Sequence, residues 1–313
     1  MTEKENVLEQ YAELYNRDEF LALNEEMTFS EYIKKVKKNP KLARHSFQYV
    51  YDMIMEKGCS TFERYRKTYT KYHFFEDKET PIFGIEETIE GIVDFIHGAA
   101  GQYGTERRVL LMHGPVGSSK STIARRIKRG LEKYSMTDAG AWYTFKWVNL
   151  PLEEDKDGPG VYTSAECLSA MNENPIKLMT PEMRNKFLED INKVNYELAS
   201  DDQKEDLYPL ISEGDLNPRC KLFFNMLLKR YKGDWEKVVN NHIVVFRRIH
   251  SEIDRIGIGT FQPKDEKNQD STELTGDMDF SKISKFGSDS DPRAFNFDGE
   301  FQVSNRGVCE MIE

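Results

Sequence analysis

Residues 107–122 read Arg107-Arg108-Val109-Leu110-Leu111-Met112-His113-Gly114-Pro115-Val116-Gly117-Ser118-Ser119-Lys120-Ser121-Thr122. The run Val109–His113 is apolar and has no amphipathic period, which suits a strand buried on both faces of a parallel sheet. It passes directly into a glycine-rich turn, and the turn into a helix expected over Thr122–Tyr134 with Ile123, Ile127 and Leu131 inward. A second strand is expected over Ala141–Leu150, rich in Trp, Tyr, Phe and Val. Strand, loop, helix and strand in that order make a βαβ unit.

The turn has the pattern G-x-x-x-x-G-K-[ST] with one departure. Consecutive N–H groups over Gly114, Pro115 (which has none), Val116, Gly117, Ser118, Ser119, Lys120, Ser121 and Thr122 would curl around a phosphate. The partial positive charge of a helix N-terminus would reinforce them. Lys120 is expected to reach the β- and γ-phosphates of a nucleoside triphosphate, read as ATP, and Ser121 to ligate Mg²⁺. Gly114 and Gly117 allow a tight turn. Ser119 stands where the pattern has glycine; if that position needs positive φ, serine costs on the order of 1 kcal/mol. It would then weaken binding or add a hydroxyl contact.

A phosphate-binding loop of this kind works with acidic residues at the end of a neighbouring strand. The best candidate is Gly307-Val308-Cys309-Glu310-Met311-Ile312-Glu313, a short apolar strand ending in Glu. Glu313 is the expected catalytic carboxylate. A strict Walker B strand has Asp immediately before it, where this chain has Ile312, so the metal role falls to Glu310.

The rest of the 313-residue chain narrows the classes. Net charge is −10, which gives no global attraction to nucleic acid or anionic membrane. No apolar run approaches the roughly 20 residues that span a bilayer. The polar, acidic start is unlike a signal peptide, so a cytoplasmic location is expected. Cys59, Cys167, Cys220 and Cys309 are widely spaced, as reduced thiols are, without zinc or disulfide spacing. The histidines show no metal-ligand spacing either. The run Arg125-Arg126-Ile127-Lys128-Arg129 is read as the solvated face of a helix rather than a nucleic-acid contact.

Residues 1–60 are expected as an N-terminal helical extension, with Thr28 or Ser30 capping a helix through Tyr32 and Val36. Residues 61–313 form the expected core, with Phe62–Thr80 on the surface, a helix over Ile82–Ala100, and a helical insertion over 151–235. Loops are expected within it at Asp155–Gly160 and Glu213–Pro218. A strand is expected over Val238–Ile249. The turn-rich stretch Ser251–Gly299 is too apolar for disorder and is expected to be an ordered functional region.

Several stretches resemble the PrkA-type serine protein kinases, whose N-terminal half is an AAA+ module. They are Phe83-Gly84-Ile85-Glu86-Glu87, Leu111-Met112-His113-Gly114-Pro115-Val116-Gly117, the run Gly257-Ile258-Gly259-Thr260-Phe261-Gln262-Pro263, Asp291-Pro292-Arg293-Ala294-Phe295, and Asn305-Arg306-Gly307. The resemblance implies an α/β, P-loop NTPase (AAA+-like) fold: a three-layer core with a parallel sheet, carrying a helical extension and a helical insertion. It places Phe83, Gly84 and Ile85 at the adenine, makes Glu313 the Walker B glutamate, and implies a protein substrate and a homo-oligomer at full length. Family members continue into sensor and kinase-like segments. The sheet here is therefore expected to be incomplete, with open edges along Val109–His113 and poor stability. No HRD loop, DFG or VAIK strand occurs, so phosphotransfer to protein serine rests on the resemblance alone. The alternatives are a nucleotide-sensing regulatory ATPase and an ATP-dependent Lon-like protease module, for which no Ser–Lys dyad is recognisable.

Overall fold

The computed structural model describes residues 16–76, 81–151, 166–200, 207–263, 271–286 and 288–312. In chain order the elements are α1 (Arg17–Leu23), β1 (Glu26–Thr28), α2 (Phe29–Lys38), α3 (Ser46–Met55), β2 (Cys59–Arg64), β3 (Lys67–Tyr72), α4 (Glu86–Ala100) and α5 (Lys120–Met136). They continue with β4 (Trp142–Trp147), β5 (Cys167–Leu168), α6 (Pro181–Leu198), α7 (Pro218–Arg230), α8 (Trp235–His242), β6 (Ile243–Arg248) and β7 (Ile258–Phe261). The last are α9 (Thr272–Thr275), β8 (Asp277–Met278), α10 (Phe280–Phe286), β9 (Phe295–Asn296), α11 (Glu300–Val303) and β10 (Val308–Met311).

Local chemistry explains several boundaries. Thr28 begins α2 with a reciprocal capping box: its hydroxyl accepts from the Glu31 N–H, and the Glu31 carboxylate accepts from the Thr28 N–H. Asn217 caps α7 and Thr180 caps α6, each followed by proline in the first turn. The segment Phe62–Thr80, expected as a surface stretch, holds most of the β2–β3 hairpin, but Phe74 and Phe75 just after it are buried in the core. Arg64 pairs with Lys67 across a two-residue turn in which Tyr65 and Arg66 have φ of 52° and 63°. Two consecutive positive φ values match the twist of hairpin strands.

The main sheet differs from the expected parallel one. It has the order β1-β6-β4-β5 with every pairing antiparallel. The βαβ expectation is corrected accordingly: Ala141–Leu150 does contain a strand, but β4 pairs with β6 and β5. Val109–His113 is no strand at all. Val109 and Leu111 are 86% and 82% exposed, and among the described residues the N–H groups of 109–113 have no acceptor. A strand is stabilised only by what pairs with it, and nothing among the described residues pairs here. The region expected as a strand from Val238 begins as α8 and becomes β6 at Ile243. Among the described strands the parallel arrangement survives where β10 lies beside β7, with Glu310 opposite Thr260.

Strand β4 is buried on both faces, and its alternation feeds two cores. Tyr143, Phe145 and Trp147 join Phe29, Tyr32 and Val36 of α2 with Phe223 and Leu227 of α7. Trp142, on the opposite face, joins a second cluster built from α3, α4 and α5, with Met53, Ile92, Ile123 and Leu131 among its members. Burying each such side chain contributes about 1.5–3 kcal/mol. The helix of the glycine-rich loop is therefore fixed by this second cluster. Its C-terminus is fixed by buried Arg247, which donates to the carbonyls of Ser135, Met136 and Thr137.

Of the expected loops, Glu213–Pro218 is irregular up to the start of α7, whereas Asp155–Gly160 lies outside the described residues. Within Ser251–Gly299 the described residues form short strands and helices. Among the described residues no helix is long and apolar enough to cross a membrane.

Candidate functional site

The glycine-rich loop ends at Ser119, whose carbonyl accepts the first helical bond, from Ile123 N–H. Gly117 has φ +84° and Ser119 has φ +63°. The serine thus occupies a left-handed conformation that costs a non-glycine residue on the order of 1 kcal/mol. The result is a set of open donors. The N–H groups of Val116, Gly117, Ser119, Lys120, Ser121 and Thr122 have no acceptor among the described residues, while Ser118 N–H reaches Pro115 O at 3.3 Å. Donors at the start of α5, aided by its dipole, suit an anion.

Lys120 lies folded over the same loop. Its Nζ donates to Gly114 O at 2.6 Å, Pro115 O at 2.8 Å and Ser118 Oγ at 3.2 Å. Gly114 and Pro115 therefore supply carbonyls to the lysine. Val116 is fully exposed at the tip. Ser121 is exposed at the first turn of α5, and Thr122 is half-buried beside it.

Phe83, Gly84 and Ile85 stand at the other helix entry, that of α4. Gly84 has φ +74° and Phe83 is 82% exposed. Ile85 lines a crevice with Thr70, Tyr72, Phe75, Ile82 and Ile89.

Glu310, the expected metal ligand, sits on β10 in an ion pair. Lys128 Nζ lies 2.6 Å from Glu310 Oε2 and 2.6 Å from Glu252 Oε1, and donates to Thr260 Oγ1 at 3.1 Å. Lys128 follows Ser121 by seven residues, about 10 Å along the helix. The structure thus brings Glu310 to the loop's helix, two turns below the loop, with Lys128 as its partner. Glu313 lies outside the described residues. Among the described residues no three His, Cys, Asp or Glu side chains are grouped to hold a metal.

Lys128, Glu252 and Thr260 were not singled out by sequence reasoning. The signal was periodic: Lys128 falls on the face of Ala124, Ile127 and Leu131, and it is buried, whereas Arg125 and Arg129 are exposed. Arg255, in the left-handed turn before β7, pairs with Glu300 at 2.9 Å and donates to Asp298 O.

The described residues thus combine a glycine-rich loop at the start of α5 with an acid-bearing strand tied to that helix through Lys128. The PrkA AAA domain family matches residues 27–313, and the chain belongs to that family. It is similar to a Bacillus subtilis (strain 168) protein named ATP-dependent protease PrkA, at 36% identity over 95% of this chain and 39% of the relative. It is also similar to a protein of Escherichia coli (strain K12) named serine/threonine kinase YeaG, at 25% identity over 78% of this chain and 30% of the relative. A Geobacillus stearothermophilus protein named uncharacterized protein in gldA 5'region is 31% identical over 27% of this chain and 80% of its own length. The chain thus spans 39% and 30% of the first two relatives. No solved structure matches it.

Proposed function

We propose that this chain is the nucleotide-binding module of a PrkA-type serine protein kinase, coupling Mg-ATP binding and hydrolysis to phosphorylation of protein serine in a homo-oligomer. The observation that carries the reading is the set of open N–H donors at Val116, Gly117, Ser119, Lys120, Ser121 and Thr122 around the start of α5. The amides would bind phosphate oxygens. Lys120 would exchange the carbonyls of Gly114 and Pro115 for the β- and γ-phosphates, moving its charge a few ångströms. Residues Phe83–Ile85 would border the adenine. Ser121 would hold Mg²⁺ at the loop, whereas Glu310, the other ligand expected from the sequence, is paired with Lys128 about two turns down α5 and does not reach the same ion in this arrangement. Glu313 would orient the attacking water or serine. Mg²⁺, when bound, supplies neutralisation of phosphate charge.

Nucleotide binding with Lys120→Ala as control tests the site: we expect at least a hundredfold loss of ATP affinity, and equal affinity would reject it. Incubation with γ-labelled ATP and a casein-like protein tests the chemistry, since label found only in released phosphate would end the kinase reading. The name printed for the Bacillus subtilis relative favours a second reading, an ATP-dependent protease module. Peptide cleavage that needs Lys120 would support it.

A further inference from the structure

We infer that Arg306 is a positioning residue that seats the strand carrying Glu310 against the body of the domain. The inference rests on the nucleotide-site reading given above.

The need for such a residue follows from the topology. Among the described residues no backbone hydrogen bond joins the β7–β10 pair to the four-stranded sheet. The pair carries Glu310 and ends two residues before Glu313, so its placement depends on side chains. From below, Lys128 holds Glu310. At the start of the strand, Arg306 reaches across to β4. Its guanidinium lies over the Trp142 ring at 4.9 Å and donates to the Tyr143 carbonyl. The Arg306 carbonyl lies 3.3 Å from His250 Nε2, and His250 stacks on the same indole at 4.5 Å. Asn305 adds a second tie, donating to Met171 O at 2.6 Å.

Arg306 is an expensive choice for mere packing. The residue as a whole keeps some exposure, while its guanidinium is held between the Trp142 ring and the Tyr143 carbonyl. It forms no ion pair with a carboxylate among the described residues, and burial pushes its pKa down to about 10. An apolar side chain at a buried charged position is often neutral or stabilising. Its backbone is also left-handed, with φ +67°, a conformation disfavoured for any residue with a Cβ. Two costs at one residue, directly before an acid-bearing strand, point to geometry rather than stability as what the arginine supplies. A planar cation that both stacks and donates fixes distance and direction together.

The test uses this chain with Arg306→Met and Arg306→Lys beside the parent and Lys120→Ala. Binding of a fluorescent ATP analogue, phosphate release and amide deuterium exchange are measured on each. We expect both Arg306 variants to bind the analogue within about threefold of the parent while phosphate release falls at least tenfold. Exchange of residues 308–311 should rise at least tenfold while 142–147 and the buried turns of α5 stay protected. Lysine should not rescue, because it lacks the planar face. The inference is overturned if β10 stays protected, if exchange rises throughout the domain, if binding falls in step with turnover, or if Arg306→Lys behaves as the parent. A parent that binds no nucleotide defeats the nucleotide reading, whereas failure confined to the Arg306 variants defeats this inference alone. The exchange measurement decides the positioning role in either case.

Discussion

Lys128 Nζ lies 2.6 Å from Glu310 Oε2 and equally close to Glu252 Oε1, so one ammonium on α5 holds carboxylates from two other segments. Burial opposes the charge on Lys128, but hydrogen bonds to Glu252 and Glu310 outweigh it and raise its pKa above the ordinary lysine value. The hydrogen bond from Lys128 holds Glu252 below the usual carboxylate range against partial burial. The lysine contribution is complete below its unfolded pKa of about 10.4 and is lost as pH rises through the higher folded value. The Glu252 contribution is complete above about 4.3 and is lost as pH falls through the lower folded value. Lys128→Met should therefore cost roughly 2–3 kcal/mol at neutral pH, Glu252 being partly solvated. Urea titrations at acid, neutral and alkaline pH should show that cost shrinking at both extremes. A pH-independent difference would contradict the ion-pair account.

His250 is enclosed between Trp142 and Tyr49, with ring centroids at 4.5 Å and 5.2 Å. Burial pushes its pKa down to about 3, opposed by its contact with the Arg306 carbonyl. Unfolding exposes an ordinary histidine of pKa about 6.5, so the unfolded chain binds the extra proton between these values. Stability should fall as pH drops from about 6.5 toward 3, by roughly 2 kcal/mol at about pH 5 from this group. His45, lowered to about 4 by burial, acts in the same direction. His250→Phe, which keeps the stack, should flatten the pH profile of the urea midpoint; an unchanged slope would refute the assignment.

Ser119 bears a left-handed backbone at the point where α5 begins. Ser119→Gly removes about 1 kcal/mol of strain but adds about 0.4–1 kcal/mol of unfolded-chain entropy. The melting temperature should therefore barely move. Ser119→Val places a β-branched residue at the same φ and should cost about 1–2 kcal/mol. Calorimetry of the pair measures this directly, and a valine variant as stable as the parent would show the loop to be free of strain.

Val109 and Leu111 have no backbone partner among the described residues and present 86% and 82% of their surfaces to solvent. Such a segment favours edge-to-edge association. Val109→Lys combined with Leu111→Lys should change stability by less than about 0.5 kcal/mol and lower concentration-dependent light scattering. Scattering equal to that of the parent would locate the association elsewhere.

Elements specified by nearby residues were legible in the sequence. The helix through Tyr32 and Val36 was expected with Thr28 or Ser30 as its cap, and Thr28 is that cap, in a box closed by Glu31. The strand before Glu313 was visible in its apolar run, and β10 occupies it. Elements specified by distant partners were not. Val109–His113 has the composition of a buried strand, but composition cannot supply neighbours. Strand β4 finds its partner β6 about a hundred residues later, so its antiparallel direction could not be read from the segment itself. The β2–β3 hairpin turns through Tyr65 and Arg66, neither of which is a residue that advertises such a turn. Spacing alone predicted a turn followed by a helix at Gly114–Thr122, and α5 begins at Lys120. Lys128 was hidden in a charged run, and Arg306 became visible only once its guanidinium was placed on Trp142.

The open stretch between Arg107 and Ser118 also has a bearing on proteolysis. Arg107 and Arg108 are exposed at its head, and a protease must draw several residues of extended chain into its cleft. Tryptic cleavage should therefore begin after Arg108, ahead of the arginines and lysines held within helices. The nick would divide the chain between α4 and α5, yet both helices would stay packed in one cluster, leaving two fragments that migrate together until denatured.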